Sequence, residues 1–192
     1  MAAVLVIVMG VSGTGKSTLG TALAVALQMP YIDGDDLHPR VNVEKMAAGQ
    51  PLTDADRGPW LRTIRATAER VSGEQRAEGT RGVVVACSAL RRRYRDVLRG
   101  VGDGVGTETE SGACTALRTY FVFIEGGRDV LMERMLQRSG HFMKATMLDS
   151  QLATLESPRG EDGVVVVAVE DNTAVQVEQA MMQLNTLFAD TQ

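Results

Sequence analysis

Cysteine is nearly absent from this 192-residue chain. Cys87 and Cys114 are the only two, and their spacing offers neither a metal-ligand set nor a disulfide framework. A reducing compartment follows as the natural setting, with both thiols as small packing groups. Lysine is as scarce: of 20 basic residues only Lys16, Lys45 and Lys144 are lysine, so each needs a reason for its place. Aromatic residues make up 4%, with Trp60 the single tryptophan. No apolar run reaches the length of a membrane span, which excludes a membrane partner. The opening Val4–Met9 run lacks a basic flank and leads straight into a Gly-rich motif, so it reads as a buried strand and not a signal peptide. With no targeting signal at either end, a cytoplasmic location is expected. The net charge of −4 argues against a nucleic-acid partner.

What remains is an ordinary globular composition, with 44% hydrophobic and 23% charged residues and enough length for one well-packed domain. Continuous apolar runs of the buried parallel type occur at Val4–Met9 and Val83–Cys87, with further strands at Pro30–Asp33, Leu117–Ile124 and Val164–Val169. Helical periodicity marks Lys16–Leu27, Val41–Ala48, Trp60–Val71, Tyr94–Leu98, Val130–Leu136, Met143–Leu155 and Ala174–Leu187. Thr53 and Asp56 form a capping pair just ahead of the Trp60 helix. The alternation predicts an α/β fold in which helices cover both faces of a parallel sheet. The Gly- and Thr-rich stretch at about residues 100–116 fits neither period and reads as a flexible surface insertion.

The most specific signal is Gly10-Val11-Ser12-Gly13-Thr14-Gly15-Lys16-Ser17, a full G-x-x-x-x-G-K-[ST] match between a strand and a helix. Glycine lets the backbone turn its N–H groups onto phosphate oxygens, and the helix that follows adds its positive end. In such a loop Lys16 reaches the β- and γ-phosphates, the Ser17 hydroxyl can ligate Mg²⁺, and Thr18 is placed for the α-phosphate. A guanine-reading Asn-Lys-x-Asp is missing, and the Val83–Cys87 strand does not end in the acid of a motor ATPase. A kinase of small metabolites is the class that places its acids on the strand after the loop's helix, where Asp33-Gly34-Asp35-Asp36 stands. There one acid could hold Mg²⁺ and another could accept the proton of an attacking hydroxyl.

Beyond the loop, the chain carries Asp33-Gly34-Asp35-Asp36-Leu37-His38-Pro39, Asn42-Val43-Glu44-Lys45-Met46 and Gly49-Gln50-Pro51-Leu52-Thr53-Asp54-Ala55-Asp56-Arg57-Gly58-Pro59-Trp60-Leu61. It goes on with Cys87-Ser88-Ala89-Leu90, Tyr94-Arg95-Asp96-Val97-Leu98-Arg99, Gly140-His141-Phe142-Met143, Ser150-Gln151 and Leu155-Glu156-Ser157-Pro158. Across most of its length the sequence therefore resembles the small gluconokinases of the shikimate kinase and adenylate kinase-like group. That resemblance implies a P-loop NTPase fold with a five-stranded parallel sheet in the order 2-3-1-4-5 and a helical lid near residues 134–155. It also implies ATP and Mg²⁺ as cofactors, phosphorylation of D-gluconate at its 6-hydroxyl for the pentose phosphate pathway, and a homodimer. A kinase for another hydroxy acid such as shikimate stays open, as does a regulatory nucleotide-binding protein without turnover.

Gluconate and ATP are both anions, so an acidic protein must gather cations locally to hold them. The candidate substrate ligands are His38, Lys45, Arg57, Arg95 and His141, together with Asp35. Arg57 could instead pair with Asp54 or Asp56, and His38 could be a satisfied structural histidine. Arg134 and Arg138, one helical turn apart, are the lid cations expected to neutralise the transferring group, although one of them could stack on adenine. Ser17 and Asp33 are the expected metal ligands, and Lys16 and Asp35 the expected catalytic pair. Arg91, Arg92 and Arg93 read as a solvated basic face, and Trp60 as core packing.

Overall fold

The computed structural model describes residues 3–75, 82–101, 117–137 and 143–189, with 75, 137 and 143–146 traced by backbone only. Five parallel strands, β1 (Val4–Met9), β2 (Tyr31–Asp33), β3 (Gly82–Ala86), β4 (Arg118–Glu125) and β5 (Val164–Ala168), form one sheet in the order β2-β3-β1-β4-β5. Between them run α1 (Lys16–Leu27), α2 (Arg40–Ala47), α3 (Asp54–Gln75), α4 (Arg92–Arg99), α5 (Arg128–Gln137) and α6 (Met143–Thr154), and α7 (Thr173–Ala189) closes the chain. This is the expected doubly covered parallel sheet. Among the described residues no helix is long and apolar enough to cross a membrane.

The central strands β1 and β3 carry no polar side chain because both their faces are buried, and the alternation along the sheet divides the core in two. Val6 and Val8 of β1 join Leu19 and Leu23 of α1, Val122 of β4, and Ala180 and Leu184 of α7 on one face. Leu5, Ile7 and Met9 join Trp60, Leu61 and Ile64 of α3, Leu98 of α4 and Phe121 on the other. Every one of these side chains is almost completely removed from water.

The largest boundary difference from the sequence expectation is at the start of α3, the other elements shifting by a residue or two and α3 itself running on four residues further. Helix α3 begins at Asp54 and not at Trp60, with Pro59 inside it. The cause is the Thr53–Asp56 pair, which caps at once: the Thr53 amide donates to Asp56 Oδ2 at 2.9 Å, and the Asp56 amide donates to Thr53 Oγ1 at 3.3 Å. Pro59 reads as a helix breaker, yet in the second turn it forfeits only one backbone bond, and the buried face beyond it offsets that loss.

The register places the site. Val8 of β1 and Asp33 of β2 both stand level with Ala86 of β3. The loops that leave these strands therefore emerge side by side at the carboxyl edge of the sheet, where open α/β sheets bind ligands.

Candidate active site

The loop between β1 and α1 has the backbone its sequence demands. Gly13 and Gly15 take φ values of 84° and 94°, the left-handed region that glycine adopts without strain. Gly13 is also crowded, since a Cβ there would lie 2.8 Å from Met135 Cγ on α5. Inside the loop the Val11 carbonyl accepts two bonds, from Thr14 Oγ1 at 2.9 Å and from Lys16 Nζ at 3.0 Å. Burial pushes the Lys16 ammonium below the ordinary lysine range, and the neighbouring Asp35 and Asp33 carboxylates oppose that fall.

The acidic turn stands beside it. Asp33 Oδ2 accepts from Ser17 Oγ at 2.8 Å and from Tyr31 Oη at 3.0 Å, while Oδ1 caps the following 3-10 turn, Gly34–Leu37, through the Asp35 amide at 3.1 Å. A hydroxyl and a carboxylate already in contact make the hard-oxygen pair that Mg²⁺ prefers. Tyr31 escaped the sequence reading, although it lies two residues before Asp33 and so shares its side of the strand. Burial lifts its phenol to about 12, which keeps it a donor at neutral pH. The Asp35 side chain is 76% exposed and points away from the packed side of the turn. Gly34 lets that turn sit against β3, because a Cβ there would come within 2.4 Å of the Ala86 carbonyl oxygen.

The expected cations separate into distinct groups. For Arg57, one guanidinium nitrogen donates to the Leu52 carbonyl at 2.5 Å, and the group lies 5.7 Å from the Tyr94 ring centroid. The ion pair with Asp54 or Asp56 considered for it does not form, because those acids take other partners. Asp56 holds Lys45 at 2.7 Å, which ties α2 to α3 and keeps the Asp56 carboxyl far below its ordinary range. Asp54 gathers Arg91, Arg93 and the Tyr94 hydroxyl, so two of the three arginines read as a solvated face form an ion-pair cluster.

Two of the expected ligands are engaged by the fold itself. Arg95 is fully buried and donates in a fork to Glu161 at 3.0 and 2.5 Å, with a third bond to the Ala89 carbonyl at 3.0 Å. His38 packs its ring against the core. Its side chain is 4% exposed and stacks on Trp60 with ring centroids 4.0 Å apart. Its Nδ1 lies 3.4 Å from Asn42 Nδ2, and its Nε2 lies 3.9 Å from Asp35 Oδ1. Trp60 is core, as expected, and its Nε1 donates to the Gly34 carbonyl at 2.7 Å. Cys87 is buried, and that burial lifts its thiol to about 12, so it is inert.

Arg134 is half-buried on α5 beside Met135, the residue that walls Gly13. Arg138 and His141 lie outside the described residues, as do Cys114 and most of the insertion at about residues 100–116. The lid expected at residues 134–155 spans the end of α5 and all of α6.

Comparison with known proteins follows the same lines. A family described as "AAA domain" matches residues 5–158. A gluconokinase of Gluconobacter oxydans is 46% identical over 173 residues, covering 90% of this chain and 86% of that protein. The thermoresistant gluconokinase of Escherichia coli is 37% identical over 161 residues, covering 84% and 81%. The crystal structure of a gluconokinase from Sinorhizobium meliloti superposes with a TM-score of 0.79 at 44% identity, covering 98% of this chain and 95% of that one.

Proposed function

This chain belongs to the gluconokinase family of P-loop kinases, and from that premise we propose that it transfers the γ-phosphoryl group of ATP to the 6-hydroxyl of D-gluconate. The observation that carries the reading is the 2.8 Å bond between Ser17 Oγ and Asp33 Oδ2. It joins the phosphate loop to the acidic turn where donor and acceptor substrates must meet.

In this mechanism the loop amides and Lys16 hold the β- and γ-phosphates, with Lys16 leaving the Val11 carbonyl for the nucleotide. Ser17 and Asp33 would hold Mg²⁺, which supplies charge neutralisation at the phosphates when bound. Asp35, solvent-facing and on the same turn, orients the 6-hydroxyl and accepts its proton. His38 and Trp60 hold that turn from behind. Arg57 receives the gluconate carboxylate, since its fork suits a planar anion, with Lys45 tethered alongside. Arg134 and Arg138 support the transferring group, and His141 of the proposed lid closes over the sugar acid. Transfer is direct and in line, with no phospho-enzyme. The proposal extends to a homodimer and to a cytoplasmic role feeding the pentose phosphate pathway.

The test is a coupled ADP-release assay with Mg-ATP over gluconate, other aldonates, shikimate, glucose and nucleoside monophosphates. Gluconate-dependent turnover that Lys16→Ala cuts a hundredfold or more supports site and substrate together. Turnover on a different acceptor alone would overturn the gluconate assignment. Light scattering of the purified protein checks the dimer.

A further inference from the structure

One contact of the phosphate loop is unused by this mechanism. The Ser12 amide donates to Gln151 Oε1 at 2.6 Å, across 139 residues of sequence. Ser12 is the third residue of the loop, and Gln151 lies on α6. The Val11–Ser12 peptide unit is thereby held from both ends. Its carbonyl takes Thr14 Oγ1 and Lys16 Nζ, and its N–H is taken by Gln151. A trans peptide points these groups in opposite directions, so the Thr14 and Gln151 bonds fix the plane of the unit even once Lys16 turns to the nucleotide. That plane sets where the next N–H groups aim and where the Lys16 ammonium rests.

We infer that Gln151 is a positioning residue for the nucleotide, locking the Val11–Ser12 peptide so that the loop presents its donors to phosphate. The residue type supports this. A carboxylate would accept the same bond more strongly. It would also set a negative charge against a loop built to hold a triphosphate, and an amide accepts without that charge. The neighbouring Leu152 and Leu155 line, with Val11, a small cavity of about 180 Å³ beside the loop, so α6 is packed where its glutamine can act. Met135 of α5 walls the loop at Gly13. The inference rests on nucleotide binding at this loop.

The experiment is calorimetric titration of the full chain with ADP, alongside thermal melting and the KM for gluconate, on Gln151→Met and Gln151→Glu. Gln151→Met keeps bulk and loses the acceptor. It should weaken ADP about three- to tenfold, the size of one lost hydrogen bond, and leave the gluconate KM within twofold. Gln151→Glu keeps the acceptor and melts no earlier than the wild type, yet should weaken ADP tenfold or more, with much of the loss recovered at high salt. ADP affinity unchanged in Gln151→Met, or unchanged in Gln151→Glu, overturns the inference, as does an equal rise in the gluconate KM. Wild-type protein that binds no ADP would instead overturn the nucleotide reading beneath it.

Discussion

Replacing Glu161 with glutamine tests whether Arg95 serves as scaffold or as ligand. Arg95 is completely buried on α4, and Glu161 meets it in a bidentate pair while also taking Arg99 at 2.8 Å. The Arg95 guanidinium, followed by Arg99, drags the Glu161 carboxyl from 4.5 to about 2. Each unit by which the carboxyl pKa differs between folded and unfolded states is worth about 1.4 kcal/mol, so the interactions of Glu161 with Arg95 and Arg99 contribute roughly 3 kcal/mol at neutral pH. That agrees with the ~3–5 kcal/mol typical for removing one partner of a buried ion pair. For a chain of this size Glu161→Gln should lower Tm by about 6–12 °C at pH 7. The sign of the pH dependence follows from the depressed carboxyl. Its stabilisation is complete above about 4.5 and is lost as pH falls through about 2, so the gap between wild type and variant narrows over that window. Thermal melts followed by circular dichroism from pH 7 down to pH 3 measure it, with the gluconate KM of the folded variant as companion. A Tm within 2 °C of wild type, or a raised KM with an unmoved Tm, would refute the argument and return Arg95 to the substrate.

Asp35→Asn should cut kcat by about a hundredfold or more while Tm stays put, because the side chain is 76% exposed and the substitution keeps its shape; steady-state kinetics and a melt decide it. Gly34→Ala should destabilise the fold by about 1–3 kcal/mol and lower activity further, since the new Cβ meets backbone oxygen at 2.4 Å and the turn must move; denaturant unfolding reads the first effect. Arg57→Lys should raise the gluconate KM several-fold with the ATP KM unchanged, because a point charge replaces a fork. Trp60→Phe should cost about 1–3 kcal/mol by orphaning the buried Gly34 carbonyl and should lower kcat through the loosened turn.

The strands of the sheet and the phosphate loop were legible because each is written in local sequence, whereas the strand order came only through the resemblance to the gluconokinases. Val4–Met9 is apolar at every step, and the loop's glycines and Lys16 occupy fixed offsets. The cations were not legible in the same way. An arginine at the start of a helix looks the same whether it faces a ligand or a carboxylate sixty residues on, and only the fold brings Glu161 under Arg95. His38 is a related case. Its place after the acidic turn puts it near the site, but Trp60, twenty-two residues later, stacks on the ring and takes it out of water. The Tyr31 bond to Asp33 was within reach, being a two-residue strand repeat, while the Gln151 bond spans most of the chain.

The pairing of charges also explains how an acidic protein builds a site for two anions. Asp54, Asp56 and Glu161 are each engaged with Arg or Lys. Each neutralises a cation that would otherwise compete for the ligand or repel its neighbours. The carboxylates left facing the phosphate loop are Asp33, which Ser17 and Tyr31 tie in place, and Asp35, which is solvent-facing. Lys16 is held by a carbonyl and not by a carboxylate, a bond that an incoming phosphate can replace because the phosphate carries charge and the carbonyl does not. The strong ion pairs thus fix the frame, while the phosphate-loop lysine keeps a weaker bond that a phosphate can exchange.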